Sequence, residues 1–291
     1  MELRVLRYFL AVAKEESITA AAEALHVTQP TLSKQIMALE SELGKPLLIR
    51  GHRKITLTED GMFLRKRAQE IVDLADKTEA EFYTDSHAVS GDIFIGSGET
   101  RAVHNVAEIL KKIISRNPNI RFHLYSGNGE DVSDRLDKGL LDFALFVGIV
   151  NMQKYDYMKL PEYDIWGLAM RKDDPMAHLH HIGPDDLAGI PLICSRQALI
   201  HNELSGWLGR SFDSLNIAGT YNLIYNAALM AEEGLGYVIC IDKLINTAGD
   251  GTLCFIPFEP EIKADLFIAW KKSQVFSSAA KKFLEELQRI S

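Results

Sequence analysis

Between Gln29 and Lys34 the sequence "QPTLSK" sets an amide, two short hydroxyls and an ammonium side by side. On a helix, Leu32, Ile36, Leu39 and Leu43 fall on one apolar stripe at intervals of four, three and four. Pro30, Thr31, Ser33, Lys34 and Met37 then lie away from that stripe, and Gln29 projects from the first turn. Short hydroxyls and amides can meet base edges in a major groove, while Lys34 can reach a phosphate or a guanine. A helix N-terminus also favours phosphate. The chemistry offered is hydrogen-bonded reading of a nucleic acid.

The elements that must position this face are legible around it. Leu3, Leu6, Leu10 and Ala13 recur at helical spacing and predict a first amphipathic helix. A second follows Ser17, a candidate N-cap, through the small-residue run "TAAAEAL". "HVT" makes a short turn, with Thr28 expected to cap the helix that carries the polar face. Pro30 is tolerated there because first-turn amides lack intrahelical partners, and Gly44 closes the helix. Two helices joined by a tight turn, the second presenting a polar face, form a helix-turn-helix. "KPLLIRGHRKITLTEDG" then has two apolar runs around a basic tip of Arg50, His52, Arg53 and Lys54, as in a β-hairpin wing set against a sugar-phosphate backbone.

From Thr58 a long helix is expected. Leu64, Ala68, Ile71, Ala75, Thr78 and Phe82 follow coiled-coil spacing, with Val72 and Leu74 flanking the seam. Two copies pairing there, or one helix packed on its own domain, both satisfy that pattern; two DNA-reading heads on two half-sites favour pairing. The polar "TDSHAVSG" then reads as a hinge.

Charge supports a divided molecule. Residues 1–67 hold 11 Lys+Arg against 8 Asp+Glu, and the remainder 21 against 32, within a net charge of −8 over 291 residues. A basic head on an acidic body suits a protein whose head alone meets a polyanion. No signal peptide or membrane-spanning run is expected, and Cys194, Cys240 and Cys254 read as reduced thiols of a cytoplasmic protein. No metal-ligand spacing, nucleophile elbow or cofactor motif is present in the sequence; an enzyme is not expected, and neither metal nor cofactor.

The stretch "SITAAAEALHVTQPTLSKQIMALESELGKPLLIRGHRKITLTEDG" resembles the N-terminal domain of LysR-type transcriptional regulators without gaps. Thr28 and Thr31 stand where Ser and Ala are common in that family, Lys34 where Arg is common, and Leu48 where Phe is common. By this resemblance Gln29, Pro30, Thr31, Ser33 and Lys34 would face DNA, and Arg50 and Arg53 would be wing contacts.

After Gly91, strands and helices alternate, which implies a parallel sheet with helices on its faces and ligands at the carboxyl ends of its strands. Those ends carry Ser97-Gly98-Glu99-Thr100, Ser126-Gly127-Asn128 and Phe146-Val147-Gly148, and later Cys194-Ser195-Arg196-Gln197 and Tyr221-Asn222. A second subdomain is expected to start near Pro161 with a strand in "DIWGLAMRKDDP", the chain returning to the first around "ADLFIAWKK". This is similar to the LysR-type effector domain, itself similar to periplasmic binding proteins. By that resemblance Ser97, Gly98, Glu99, Thr100, Ser126 and Phe146 from the first lobe, with Ser195 and Arg196 from the second, would line an effector cleft. Arg196, the one cation at these strand ends, is a natural partner for a carboxylate effector, or else an ordinary surface arginine.

The expected fold class is therefore an α+β multidomain protein. It combines an N-terminal winged helix-turn-helix and long linker helix with a C-terminal two-lobed α/β effector-binding domain like the periplasmic binding proteins. Expected boundaries are 1–58 for the winged head, 59–90 for the linker/dimerisation helix and hinge, and 91–291 for the effector-binding domain. Lobe I would take about 91–160 and 265–291, and lobe II about 161–264. The expected function is DNA-binding transcriptional regulation in which a sensed small molecule alters promoter binding. Expected partners are double-stranded promoter DNA, the effector and further copies of the chain as a homodimer or homotetramer, with RNA polymerase a candidate; a membrane is not among them. An alternative within the same fold is a redox-sensing regulator using Cys194, whose place at a strand end near Arg196 could activate the thiol.

Overall fold

A computed structural model describes residues 1–51, 54–82, 89–148, 152–196, 204–209, 211, 214–247, 249, 251–272 and 274–289, with the backbone alone at 80, 81 and 152. The chain divides into two compact units, Met1–Thr84 and Asp85–Ser291.

In the first unit, helices α1 (Leu3–Glu15), α2 (Ile18–Ala24) and α3 (Gln29–Leu43) precede a hairpin of β1 (Leu48–Arg50) and β2 (Ile55–Leu57), and α4 (Glu59–Phe82) follows. Phe9, Val12, Ala21, Leu32 and Ile36 are fully buried together. The alanines of α2 let α1 and α3 approach closely. Ser17 caps α2, its Oγ accepting from Ala20 N at 3.3 Å. Thr28 occupies the N-cap position of α3 in extended backbone, yet makes no cap bond to an amide; its hydroxyl lies 2.8 Å from that of Thr31. The expected cap is thus replaced by a hydroxyl pair. Gly44 ends α3 at φ 66°, where a side chain would be strained.

The start of α4 is fixed by Thr58, whose Oγ1 accepts from Gly61 N at 2.9 Å and donates to Pro46 O at 2.7 Å. A Cβ on Gly61 would lie 2.1 Å from the Leu47 carbonyl oxygen, so only glycine permits this approach. The expected seam along α4 divides. Leu64 and Ala68, with Val72, are buried in the head's own core because α1 packs along this part of the helix. Ile71, Leu74 and Phe82 remain exposed. The expected hinge falls mostly at 84–88, outside the described residues, as do His52 and Arg53 of the wing tip.

The second unit contains β3 (Gly91–Ser97), α5 (Val103–Arg116), β4 (Ile120–Ser126), α6 (Gly129–Asp137), β5 (Phe143–Val147) and β6 (Tyr155–Arg171). It continues with β7 (Leu192–Ser195), α7 (Ser205–Leu208), β8 (Ile217–Tyr221), α8 (Ile224–Glu232), β9 (Tyr237–Ile241), β10 (Leu253–Pro257), β11 (Lys263–Lys271) and α9 (Ser278–Leu287). Strand order is β4-β3-β5-β11-β6-β9-β7-β8, with β10 on β6. The sheet is mixed rather than all-parallel. β3 pairs in parallel with β4 and β5, and β7 with β8 and β9; β11 and β6 join these two groups by antiparallel pairing. Each group has its own core. One gathers Ile93, Ile109, Phe143 and, from the C-terminal end, Leu266, Ile268 and Phe283. The other gathers Leu168, Met170, Leu192, Ile239 and Phe258.

Strand β6 differs from the expected short strand after Pro161: it runs through both lobes. Its first part pairs with β11 up to Lys159, and Leu160, Pro161 and Glu162 bulge out before pairing resumes at Tyr163. Proline has no amide to donate, and a bulge asks for none. Beside this crossover, Thr100 Oγ1 donates to the buried Asp164 at 2.6 Å, and Asp242 accepts from Ile165 N at 2.9 Å. Among the described residues no helix is long and apolar enough to cross a membrane.

Candidate nucleic-acid interface and ligand cleft

The stripe Leu32, Ile36 and Leu39 anchors α3 in the head, and this fixes which side chains face outward. Gln29, Pro30, Thr31, Lys34 and Met37 are exposed, and Ser33 is half-buried at the edge of the face. No acidic residue occupies the first turn of α3, so the partial positive charge of its N-terminus is uncompensated there. Glu40 secures the far end, its Oε1 accepting from Leu47 N at 2.8 Å and Leu48 N at 3.1 Å. The hairpin is tied back to α1 through Ile55 N donating to Glu16 O at 2.8 Å. Arg50 is exposed at the hairpin end; Lys54 is held 3.0 Å from Glu16 and is partly neutralised. Side chains on this unit thus offer donors, acceptors and uncompensated positive charge on a rigid support.

In the second unit a cavity opens where the strand ends of the two lobes face each other. It spans about 650 Å³, counting the space open to solvent at its mouth. Lobe I contributes Gly98, Glu99, Gly127, Asn128, Gly129, Leu145, Phe146 and Val147. Lobe II contributes Trp166, Ser195, Tyr221, Asn222, Ile224, Ile241 and Leu244. The Glu99 carboxylate accepts from Ile224 N, so a lobe I side chain occupies the N-terminus of the lobe II helix α8. Burial pushes the Glu99 carboxyl up, against the opposing pull of that amide. Tyr221 donates to Ile239 O at 2.8 Å, and burial pushes its phenol well above the usual range.

Comparison with known proteins accounts for both units. Residues 3–62 match the model of the bacterial regulatory helix-turn-helix proteins of the lysR family, and residues 86–290 match the LysR substrate binding domain. The chain belongs to the LysR family of transcriptional regulators. It is a DNA-binding regulator with an effector-binding domain, in a family of regulators rather than enzymes.

This LysR-type chain is 29% identical to the Hca operon transcriptional activator HcaR of Escherichia coli over 282 residues, covering 94% of this chain and 93% of that protein. It is also 29% identical to a hydrogen peroxide-inducible genes activator of Pectobacterium carotovorum, over 93% of this chain and 90% of that one. Among solved structures, full-length CbnR complexed with its target DNA matches with a TM-score of 0.73 at 20% identity, covering all of both chains.

Of the expected effector contacts in this regulator, the cavity brings together Gly98, Glu99, Phe146 and Ser195. The other four lie elsewhere. Ser97 is buried, its Oγ donating to Gly98 O at 2.6 Å, and Thr100 is turned inward onto Asp164. Ser126 is exposed at the end of the edge strand β4, and Arg196 is exposed and forms no part of the wall. The expected effector set omitted Asn128, Tyr221 and Asn222, although the strand ends named from the sequence include all three. The same rule reaches Ile241 at the end of β9; nothing in the sequence marks Trp166 or Leu244.

The surroundings of Cys194 do not favour the alternative of an activated thiol. Cys194 is buried, and burial pushes its thiol up to about 12. Cys240 is likewise buried and pushed up to about 12, first by burial and then by Asp242, and Cys254 is also raised by burial.

Proposed function

We propose that this LysR-type regulator reads operator DNA with Gln29, Pro30, Thr31, Ser33 and Lys34, steadies itself on the flanking backbone with Arg50 and Arg53, and senses a small molecule in the cleft between its lobes. The observation that carries the first part is the face of α3. Its apolar stripe is locked in the head while its polar residues and uncompensated N-terminus stay open to a partner. The complex of CbnR with its target DNA supports the reading by analogy of fold.

The sensing part rests on the cleft between lobes joined through β6 and β11. Effector binding changes lobe closure, and hence the spacing of DNA heads in a homodimer or homotetramer; the effector must prefer one arrangement for this to work. The exposed Ile71, Leu74 and Phe82 of the 59–90 linker segment supply apolar surface for pairing. The working compartment is the cytoplasm, and RNA polymerase is the partner met at the promoter.

Fluorescence anisotropy tests the reading. The protein is titrated onto DNA from upstream of its own gene and onto a scrambled duplex of equal length, at one moderate salt concentration. A preference of about a thousandfold is expected. No binding to either duplex by folded protein at low salt overturns the assignment of Gln29 to Lys34. Thiol sensing by Cys194 predicts a mass increase on that residue after mild peroxide. With the thiol buried and raised, none is expected at neutral pH.

A further inference from the structure

Among the described residues that line the cleft, Glu99 carries the only formal charge. Lys243, Arg196 and Arg101, the cations next to the lining residues in sequence, are exposed and line none of it, and Lys243 is paired with Asp242 at 2.7 Å. The N-terminus of α8, where an anionic ligand would gain from backbone amides, already holds the Glu99 carboxylate. A carboxylate effector would have to evict Glu99 and then lie close to its charge. A cation meets the opposite situation: a half-buried carboxylate whose hydrogen-bond partner among the described residues is one backbone amide. Three aromatic side chains, Phe146, Trp166 and Tyr221, stand among the walls, and ring faces attract ammonium groups while their area accepts an apolar body. The remaining polar groups, on Ser195, Asn128 and Asn222, are neutral.

We infer that the effector is an organic amine, protonated at neutral pH and carried on a compact apolar body, whose ammonium pairs with Glu99 between the lobes. This rests on the reading of the cleft as the effector site. Because Glu99 belongs to lobe I and its amide partner to lobe II, an ammonium placed there bears on the contact that links the lobes. Binding and closure thereby share one carboxylate.

The test uses the full-length protein and matched probes: benzylamine, benzyl alcohol and phenylacetate, and the corresponding cyclohexylmethylamine, cyclohexylmethanol and cyclohexylacetate. Affinities are read by calorimetry and by thermal shift. The amines should bind more tightly than the matched carboxylates by on the order of 30-fold, and E99Q should erase that preference; its amide oxygen can still accept from Ile224 N, so the helix keeps its cap. Asn222 is exposed at the same helix start. Asn222→Lys should weaken the amines and favour the carboxylates, which keeps the inference testable if E99Q misfolds. Tighter binding of carboxylates, amine binding indifferent to E99Q and to Asn222→Lys, or no binding by any probe overturns it. Ser195→Trp, which fills the cleft, separates two failures. Carboxylate binding lost in Ser195→Trp means the site is right and the ligand class wrong. Binding unchanged in Ser195→Trp means the cleft is not the effector site.

Discussion

The DNA-reading face and the ligand cleft are built in opposite ways. Residues 29–34 form one contiguous run on one helix, held by an apolar stripe a few positions away. The cleft draws on Gly98 through Leu244, from two lobes, and is completed by a carboxylate reaching from one lobe to a helix of the other. A local surface can be read from spacing alone. A surface made by long-range pairing depends on which way each strand end turns, and a single sequence does not state that.

The largest effect that tests this contrast comes from the head's core. Phe9→Ala should cost about 3–5 kcal/mol because Phe9 is fully buried among Val12, Ala21, Leu32 and Ile36. Denaturation should then show the first unit melting early and DNA binding lost, with the cleft's ligand-induced thermal shift retained. Simultaneous loss of both would erase the distinction between the two regions.

Thr100→Val sharpens it from the other side. Thr100 stands in a strand-end tract yet its hydroxyl serves Asp164. The substitution should lower the stability of the second unit by about 1.5–3 kcal/mol, visible in denaturant titration, while probe affinity stays within a factor of about two. A large loss of affinity with unchanged stability would return Thr100 to the ligand site.

On the reading face, Gln29→Ala and Ser33→Ala should each cost about 1–3 kcal/mol of discrimination between operator and scrambled DNA. Arg50→Ala should weaken both duplexes alike and reduce the salt slope by about one. Anisotropy across a salt series distinguishes the two patterns, and their exchange would reverse the roles.

The smallest effect is a pH dependence at the crossover. Burial, followed by the opposing bond from Thr100 and repulsion from Asp242, leaves the Asp164 carboxyl above its usual 3.8. A raised folded-state value means that its stability contribution is full below the unfolded value and is lost as pH rises through the folded one. Asp164→Asn should therefore flatten that arm of the stability profile and slightly raise the melting temperature at pH 7. A steeper profile would contradict the assignment.

Much of the head was legible because its cues are local. Ser17 before an alanine run, Pro30 at a helix start and Gly44 at its end each act on their own turn. Thr28 misled because a nearby hydroxyl, Thr31, competed for its bond. The seam of α4 was legible only in part: heptad spacing marks an apolar face but not its partner, and the head's own core, with α1, holds Leu64 and Ala68. In the second unit the parallel strands were legible from alternation, whereas β6 was cut short at Pro161 because proline reads as a break when a bulge is not foreseen. Arg196 was chosen for its charge yet is exposed outside the wall; Glu99 was chosen for its place in a strand-end tract, and its carboxylate meets the amide of Ile224.

The path of β11 has a consequence for synthesis. The core containing Ile93, Ile109 and Phe143 is sealed by Leu266, Ile268, Ala279 and Phe283, while the second lobe is encoded almost wholly between these two sets. As the chain leaves the ribosome, the first lobe must wait with its apolar face open while the second assembles, and it closes only when the last strand and helix arrive. Messages cut short before β11 would thus yield a finished reading head attached to a sticky, half-built sensor, a natural substrate for chaperones and proteases.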